Sequence, residues 1–264
     1  MKKVGIIAGS GKLPFYFIKE ANEEGFEVIA IGIIGETDES LSKCCKCFWV
    51  KLGELGKIIK IFKKEGIKEI AMIGKVTHKK MFSNLSFDLK ALKLLPKMKD
   101  KKTDSILSIV ADEFEKEGFF VMDSRRFLKS CLAEKGILTK RKPTKEELED
   151  IEFGRSIAKV LAGLDIGQTV VVKNKAILAV EAMEGTDETI LRGGKIGKDV
   201  VVVKVSKPNQ DVRFDIPTVG KDTISVLIAA NAKVLALDAE KCFIIDKEEF
   251  IQEANKAHIS VVVD

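Results

Sequence analysis

Long hydrophobic runs are missing from this chain. No stretch approaches the roughly 18 apolar residues that a membrane-spanning helix needs. The basic, apolar start MKKVGIIAGSGK is broken by glycine at Gly9, so it reads as a first β-strand and not as a signal peptide. A cytoplasmic location is expected. Aromatic residues make up 6% of the chain, with 1 Trp and 1 Tyr, which leaves no row of rings on which successive bases of a nucleic acid stack. One-sided charge is absent too. The 45 Lys and Arg against 40 Asp and Glu leave a net charge of +5, and the signs are interleaved, as on solvated helix faces and unlike a nucleic-acid footprint. Cys44, Cys45 and Cys47 lie close together, but Cys131 and Cys242 form no second ligand pair. The four-ligand spacing of a structural zinc site is therefore lacking, and the thiols are expected to stay reduced. His78 follows Thr77 in a loop without a nucleophile beside it, so no catalytic triad is indicated.

What is present is material for cores: 45% hydrophobic residues in 264, enough for one large or two ordinary domains. Val4–Ala8 reads as a buried strand. Gly9-Ser10-Gly11-Lys12-Leu13-Pro14 follows, with Pro14 suited to a first helical turn, and then a helix over Phe15–Glu24. This is the opening of a doubly wound unit. It is not a full dinucleotide fingerprint, because Pro14 takes the third glycine position, nor a Walker A loop, because Leu13 stands where Ser or Thr is required. Strands at Glu27–Gly32, Phe48–Lys51 and Glu69–Ile73 alternate with a helix at Lys57–Lys64. That alternation predicts a parallel sheet with helices on both faces, whose ligands lie beyond the strands' carboxyl ends. Three glycine turns belong there: Gly9-Ser10-Gly11, Gly53-Glu54 and Gly74-Lys75. Each could hold a phosphate or sugar, and tight packing of helix on strand explains the glycines equally well. The run Lys90–Lys102 reads either as a solvated face or as a contact with an acidic lipid surface.

The polar, proline-ended stretch Leu138–Pro143 reads as a crossing between domains, giving a first domain of 1–137 and a second of 138–264. Thr144 and Glu147 form a capping box for a helix to about Leu161. A hairpin of Thr169–Val172 and Ala176–Ala182 follows. Acidic residues then gather at Glu181, Glu184 and Asp187, the last a candidate helix cap. The densest polar stretch is Lys204–Asp222, KVSKPNQDVRFDIPTVGKD. It places Lys204, Lys207, Gln210, Arg213, Thr218 and Lys221 around Asp211 and Asp215, just before a helix expected over Thr223–Ala232. A helix start favours anions, and a carboxylate beside phosphate calls for a bridging hard cation such as Mg²⁺. A phosphate site with a metal is one reading and a solvated βα loop the other.

The order of motifs resembles one family. IIAGSGKLP, LGELGKI from Leu52, DEFEKEGF from Asp112, LDIGQ from Leu164, AVEAMEGTD from Ala179 and KPNQDVRFDIPTVG from Lys207 are similar to the LpxI-type UDP-2,3-diacylglucosamine diphosphatases of lipid A biosynthesis. The resemblance spans nearly the whole chain. It implies an α/β protein with a Rossmann-like N-terminal domain and a distinct C-terminal α/β domain, with the lipid product between them. It implies Mg²⁺-dependent hydrolysis of UDP-2,3-diacylglucosamine to UMP and 2,3-diacylglucosamine 1-phosphate. It places the essential aspartate at Asp215; by their charge and donor groups, Arg213, Lys207 and Gln210 are expected to spread the charge that develops on the phosphoryl oxygens. On the residues themselves, Glu181, Glu184 or Asp187 are candidate metal helpers, and Asp165, Gln168, Thr186, Pro217 and Thr218 candidate substrate contacts besides the three glycine turns. Peripheral contact with the inner-membrane surface and a homo-oligomer are compatible with the resemblance. A nucleotide-sugar or lipid-phosphate binding protein without hydrolase activity is the alternative.

Overall fold

The computed structural model describes residues 2–76, 87–97 and 103–264. His78 and the end of the basic run, 98–102, lie outside the described residues. No helix among the described residues is long and apolar enough to cross a membrane. The chain is α/β and divides into two compact units. One comprises Met1–Lys129 with Asp211–Asp215, the other Ser130–Gln210 with Ile216–Asp264.

The first unit holds the expected parallel sheet. Its strands are β1 (Lys2–Ala8), β2 (Phe26–Ile33), β3 (Lys46–Val50), β4 (Glu69–Ile73) and β5 (Phe120–Val121). They lie in the order β3-β2-β1-β4-β5, and every pairing is parallel. The helices are α1 (Leu13–Glu23), α2 (Leu55–Lys64), α3 (Leu89–Leu92) and α4 (Thr103–Lys116). Parallel strands are covered on both faces, which is why β2 reads as a nearly continuous apolar run. Ile58, Ile59 and Phe62 of α2 recur at helical spacing and pack with Phe114 of α4 against Ile29, Ile31 and Ile70. Phe17 of α1 meets Phe127 edge-on at 5.2 Å, and Phe26 meets the same ring at 5.0 Å. Burying each such ring stabilises the fold by about 1.5–3 kcal/mol.

The second unit is built on a mixed sheet. Its strands are β6 (Gly136–Ile137), β7 (Thr169–Lys173), β8 (Ala176–Val180), β9 (Val200–Lys204), β10 (Thr218–Val219), β11 (Ala232–Leu237), β12 (Phe243–Ile244) and β13 (Ser260–Val263). Six of them run β6-β13-β11-β9-β7-β8, and β10 pairs with β12 apart. The helices are α5 (Lys145–Gly163), α6 (Thr186–Ile196), α7 (Lys221–Ala229) and α8 (Lys247–Lys256). Strand alternation decides which valine meets which helix. Val170, Val172, Val201 and Val203 pack with Ile151 and Ala158 of α5, while Val171, Val200 and Val202 pack with Ile190 of α6 and Leu227 of α7.

The stretch expected as a crossing, Leu138–Pro143, is instead part of the second unit. Leu138 N–H donates to Val261 O at 2.9 Å, and Arg141 bonds Ser260 Oγ at 3.0 Å and Glu147 at 2.6 Å. Polar composition resembled a linker, but edge pairing to β13 satisfies its backbone. The capping box is present: Thr144 N–H donates to the Glu147 carboxylate at 2.8 Å, and Thr144 Oγ1 accepts Glu147 N–H at 3.3 Å. None of the five cysteines forms a disulfide, and burial pushes the Cys45 thiol up to about 12.

Candidate functional site

The strand order of the first sheet reverses between β1 and β4, the place where open α/β sheets take ligands. Two of the expected glycine turns meet there. Gly9 N–H donates to Ile73 O at 2.8 Å, Ser10 N–H and Oγ both donate to Lys75 O at 2.7 Å, and Lys75 N–H returns to Ser10 O at 3.0 Å. The approach leaves no room for side chains. A Cβ on Gly9 would lie 2.6 Å from Lys75 O, and one on Gly74, whose φ is +96°, would lie 2.8 Å from Ser10 O. Gly11 also has positive φ, +93°, yet nothing among the described residues lies within 4 Å of where its Cβ would point. The latch between the two turns is thus closed, and the open side is that of Gly11 and the start of α1.

The third glycine turn is occupied differently. Asp88 Oδ2 accepts Gly56 N–H at 2.6 Å and Lys57 N–H at 3.3 Å, and its Oδ1 accepts Lys90 and Ala91 N–H. One carboxylate therefore fills the start of α2, one of the turns that could have held a phosphate or sugar, and caps α3 as well. Glu54 accepts Lys51 N–H at 2.8 Å and Lys57 Nζ at 3.2 Å. Gly53 O accepts Asp88 N–H at 3.1 Å.

The loop after β9 is shared between the units. Lys204 is buried at the strand's end and donates to Thr186 Oγ1 at 2.8 Å. Thr186 donates to Glu181 at 2.8 Å, and Glu181 accepts Gln168 N–H at 3.1 Å. The structure thus brings Gln168, Glu181, Thr186 and Lys204 together. Gln168 Oε1 is buried and accepts no hydrogen bond from the described residues. Glu184 turns away to Arg192 at 2.6 Å and Ala182 N–H at 3.1 Å. Its bond to its own amide, then Arg192, holds its carboxyl below the ordinary range. Asp187 is exposed in the first turn of α6, whose cap is Gly185. Lys207 pairs with Asp165 at 2.8 Å, and its N–H donates to Gln210 Oε1 at 2.8 Å. Pro217 is buried with its carbonyl accepting Phe243 N–H at 2.8 Å, while Thr218 is exposed on β10.

Asp211–Asp215 forms one tight turn within the first unit. Asp215 N–H donates to Asp211 O at 2.9 Å. Ser124 donates twice to Val212 O, at 3.0 and 2.9 Å, and Phe214 packs on the core of that unit. Arg213 does not stand open to an anion. Its fork grips Asp211 at 3.0 and 2.8 Å and reaches Glu115 at 2.9 Å. Burial opposes the charge on Asp211, and the Arg213 bonds outweigh it, so its pKa falls. Bonds to Asp211 first, then Glu115, raise that of Arg213. Asp215 is half-buried at the end of this braced turn.

One group escapes the sequence reading altogether. Asp238, buried just past β11, accepts Ser206 N–H and Oγ at 2.8 Å each and pairs with Lys159 and Arg155 of α5. Burial works against its charge, but the Lys159 and Ser206 bonds outweigh it, leaving its carboxyl below the ordinary range. The one sequence signal was position: an acid directly after an apolar strand.

Among the described residues no three His, Cys, Asp or Glu side chains form a group that could hold a metal. Mg²⁺ does not need such a cage, since one or two carboxylates with substrate phosphates and water suffice. Asp215 fits that role as a hard oxygen donor. Glu181 fits less readily, with both oxygens already accepting, and Glu184 is committed to Arg192.

The chain matches the LpxI N-terminal domain over residues 3–131 and the LpxI C-terminal domain over residues 134–262. The UDP-2,3-diacylglucosamine pyrophosphatase LpxI of Caulobacter vibrioides is 32% identical over 274 residues, covering 99% of this chain and 97% of that protein. Two solved structures that match are far less similar. A UDP-glucose-4-epimerase from Stenotrophomonas maltophila matches at 10% identity and TM-score 0.31, over 45% of this chain and 35% of its own. An N5-carboxyaminoimidazole ribonucleotide synthetase matches at 15% identity and TM-score 0.30, over 87% and 44%. This chain spans less than half the length of either, and neither likeness carries functional weight. The two domain matches and the full-length relative agree: the chain belongs to the LpxI family.

Proposed function

We propose that this chain hydrolyses the phosphoanhydride of UDP-2,3-diacylglucosamine, giving UMP and 2,3-diacylglucosamine 1-phosphate in lipid A biosynthesis. The observation that carries the reading is the full-length match to a pyrophosphatase of that substrate. Water adds hydroxide to one phosphorus, the bridging P–O bond breaks, and the departing phosphate keeps the electron pair and takes a proton.

Asp215 is the catalytic carboxylate in this reading. The brace of Arg213 on Asp211 and the tie of Val212 to Ser124 fix its backbone, so it is positioned before substrate arrives. Mg²⁺, when bound, neutralises charge on the phosphoryl oxygens. Arg213 acts as a positioning residue, since its fork is filled by Asp211. Lys207 and Gln210, paired here with Asp165 and with the Lys207 amide, are the donors this reading turns toward the substrate. Gly11 and the start of α1 take the diphosphate end.

The test is incubation with UDP-2,3-diacylglucosamine and Mg²⁺, with and without chelator, reading products by mass. UMP and the sugar 1-phosphate are expected only with metal. Asp215→Asn is expected to lower kcat about 10²–10³-fold or more, the scale of one pre-placed electrostatic group, with thermal unfolding unchanged. Normal turnover in that variant overturns the role of Asp215. Binding without any release of UMP favours a nucleotide-sugar binding protein.

A further inference from the structure

A cavity opens at the carboxyl ends of β2 and β3, lined by Ile34, Gly35, Glu39, Ser42 and Trp49. Nothing in the hydrolase reading uses it. Trp49 is the chain's single tryptophan, and its ring is held on two sides. It pairs across the strands with Gly32, and its six-membered ring lies over that residue, so that a Cβ there would come within 2.6 Å of the ring. Its indole N–H donates to Ser42 Oγ at 3.2 Å. Beside it Ile34 is 54% exposed, an apolar side chain left uncovered where the sheet ends.

The cavity is tied to the glycine latch. Thr37, in the turn after β2, accepts Ile33 N–H at 2.8 Å and donates to Ala8 O, the residue before Gly9. The same turn carries Ile34 and Gly35. Ala8 pairs with Gly32 and Gly32 with Trp49, so the indole stands two strand spacings, about 10 Å, from the end of β1, within reach of the neighbouring part of a ligand whose phosphates sit by Gly11. The chemistry decides which part. Glu39 disfavours an anion but accepts hydroxyl protons, and an indole face with an exposed Ile34 favours a flat, uncharged ring. A ribose carrying an uncharged base has both properties.

We propose that this cavity binds the uridine end of the substrate, with the uracil ring against Trp49 and the ribose hydroxyls toward Glu39. The proposal rests on the substrate reading above and extends it to a specificity-determining residue, Trp49.

UMP titrated into the wild-type protein is expected to quench Trp49 emission saturably, while inorganic phosphate leaves it unchanged. Trp49→Leu is expected to raise KM for UDP-2,3-diacylglucosamine about tenfold or more, the loss of one stacked base, with kcat within about twofold. Emission unmoved by UMP up to about 1 mM, or an unchanged KM in Trp49→Leu, overturns the proposal. Asp215→Asn separates the two readings. Quenching by UMP in that variant supports the nucleoside site whether or not turnover is lost, and saturable quenching in a chain that never releases UMP removes the hydrolase reading while supporting this site.

Discussion

Beyond β1 the chain is held by backbone paired with backbone: Gly9 and Ser10 exchange hydrogen bonds with Ile73 and Lys75, and glycine is required because a Cβ would strike a carbonyl. Beyond β9 and β11 it is held by ionised side chains: Asp238 ties Ser206 to Lys159 and Arg155. Both devices fix a loop at the carboxyl edge of a sheet. The first depends on missing atoms and carries no charge to titrate. The second depends on a carboxylate staying ionised in a buried place, so acid should undo one and leave the other alone.

Replacing Asp238 sharpens that contrast most. Asp238→Asn leaves Lys159 and Arg155 without their partner and is expected to cost about 3 kcal/mol by chemical denaturation. The sign with pH follows from its depressed carboxyl. The stabilisation is fully present above the unfolded carboxylate value of about 3.9, and is lost as pH falls through the lower folded value. The gap between wild type and Asp238→Asn should therefore close in acid titrations of stability. Gly9→Ala comes next, at about 2–3 kcal/mol, because the new methyl meets fixed backbone at Lys75 and Gly74. Its cost should be independent of pH over the same range, and a pH-dependent cost would break the distinction. Gly11→Ala is the smallest, at about 1 kcal/mol, since only its φ of +93° is strained and its surroundings are open. If Gly11→Ala costs as much as Gly9→Ala, steric closeness is not what the latch depends on.

Local patterns were legible in the sequence. Glu69–Ile73 is β4 as read, and the hairpin around Lys173-Asn174-Lys175 is present, with Asn174 and Lys175 at φ of +51° and +56° and their amides capped by Asp150. The parallel sheet followed from alternation of β and α. Pairings between residues far apart in the chain were not legible. Asp88 reaches across to the start of α2 at Gly56, and Asp238 to α5 at Lys159. Each looks like an ordinary loop acid until the fold brings its partners. Lys204–Asp222 appeared as one cluster of charge, but the fold spends much of it on internal pairs: Lys207 on Asp165, Arg213 on Asp211, Lys221 on Glu249. Composition counts charges, and only geometry tells which are already answered. Trp49 was visible only as a rarity. Its cavity depends on Gly32 facing it across two strands.

Asp211–Asp215 has a genetic consequence. These five residues belong to the first unit, while the chain on either side of them belongs to the second. Splitting the coding sequence once, after Lys129, would give an amino-terminal product in which Ser124 has lost its acceptor on Val212 and the core has lost Phe214. The amino-terminal half would therefore not travel alone as a finished module, because it is completed by a splice of peptide encoded in the other.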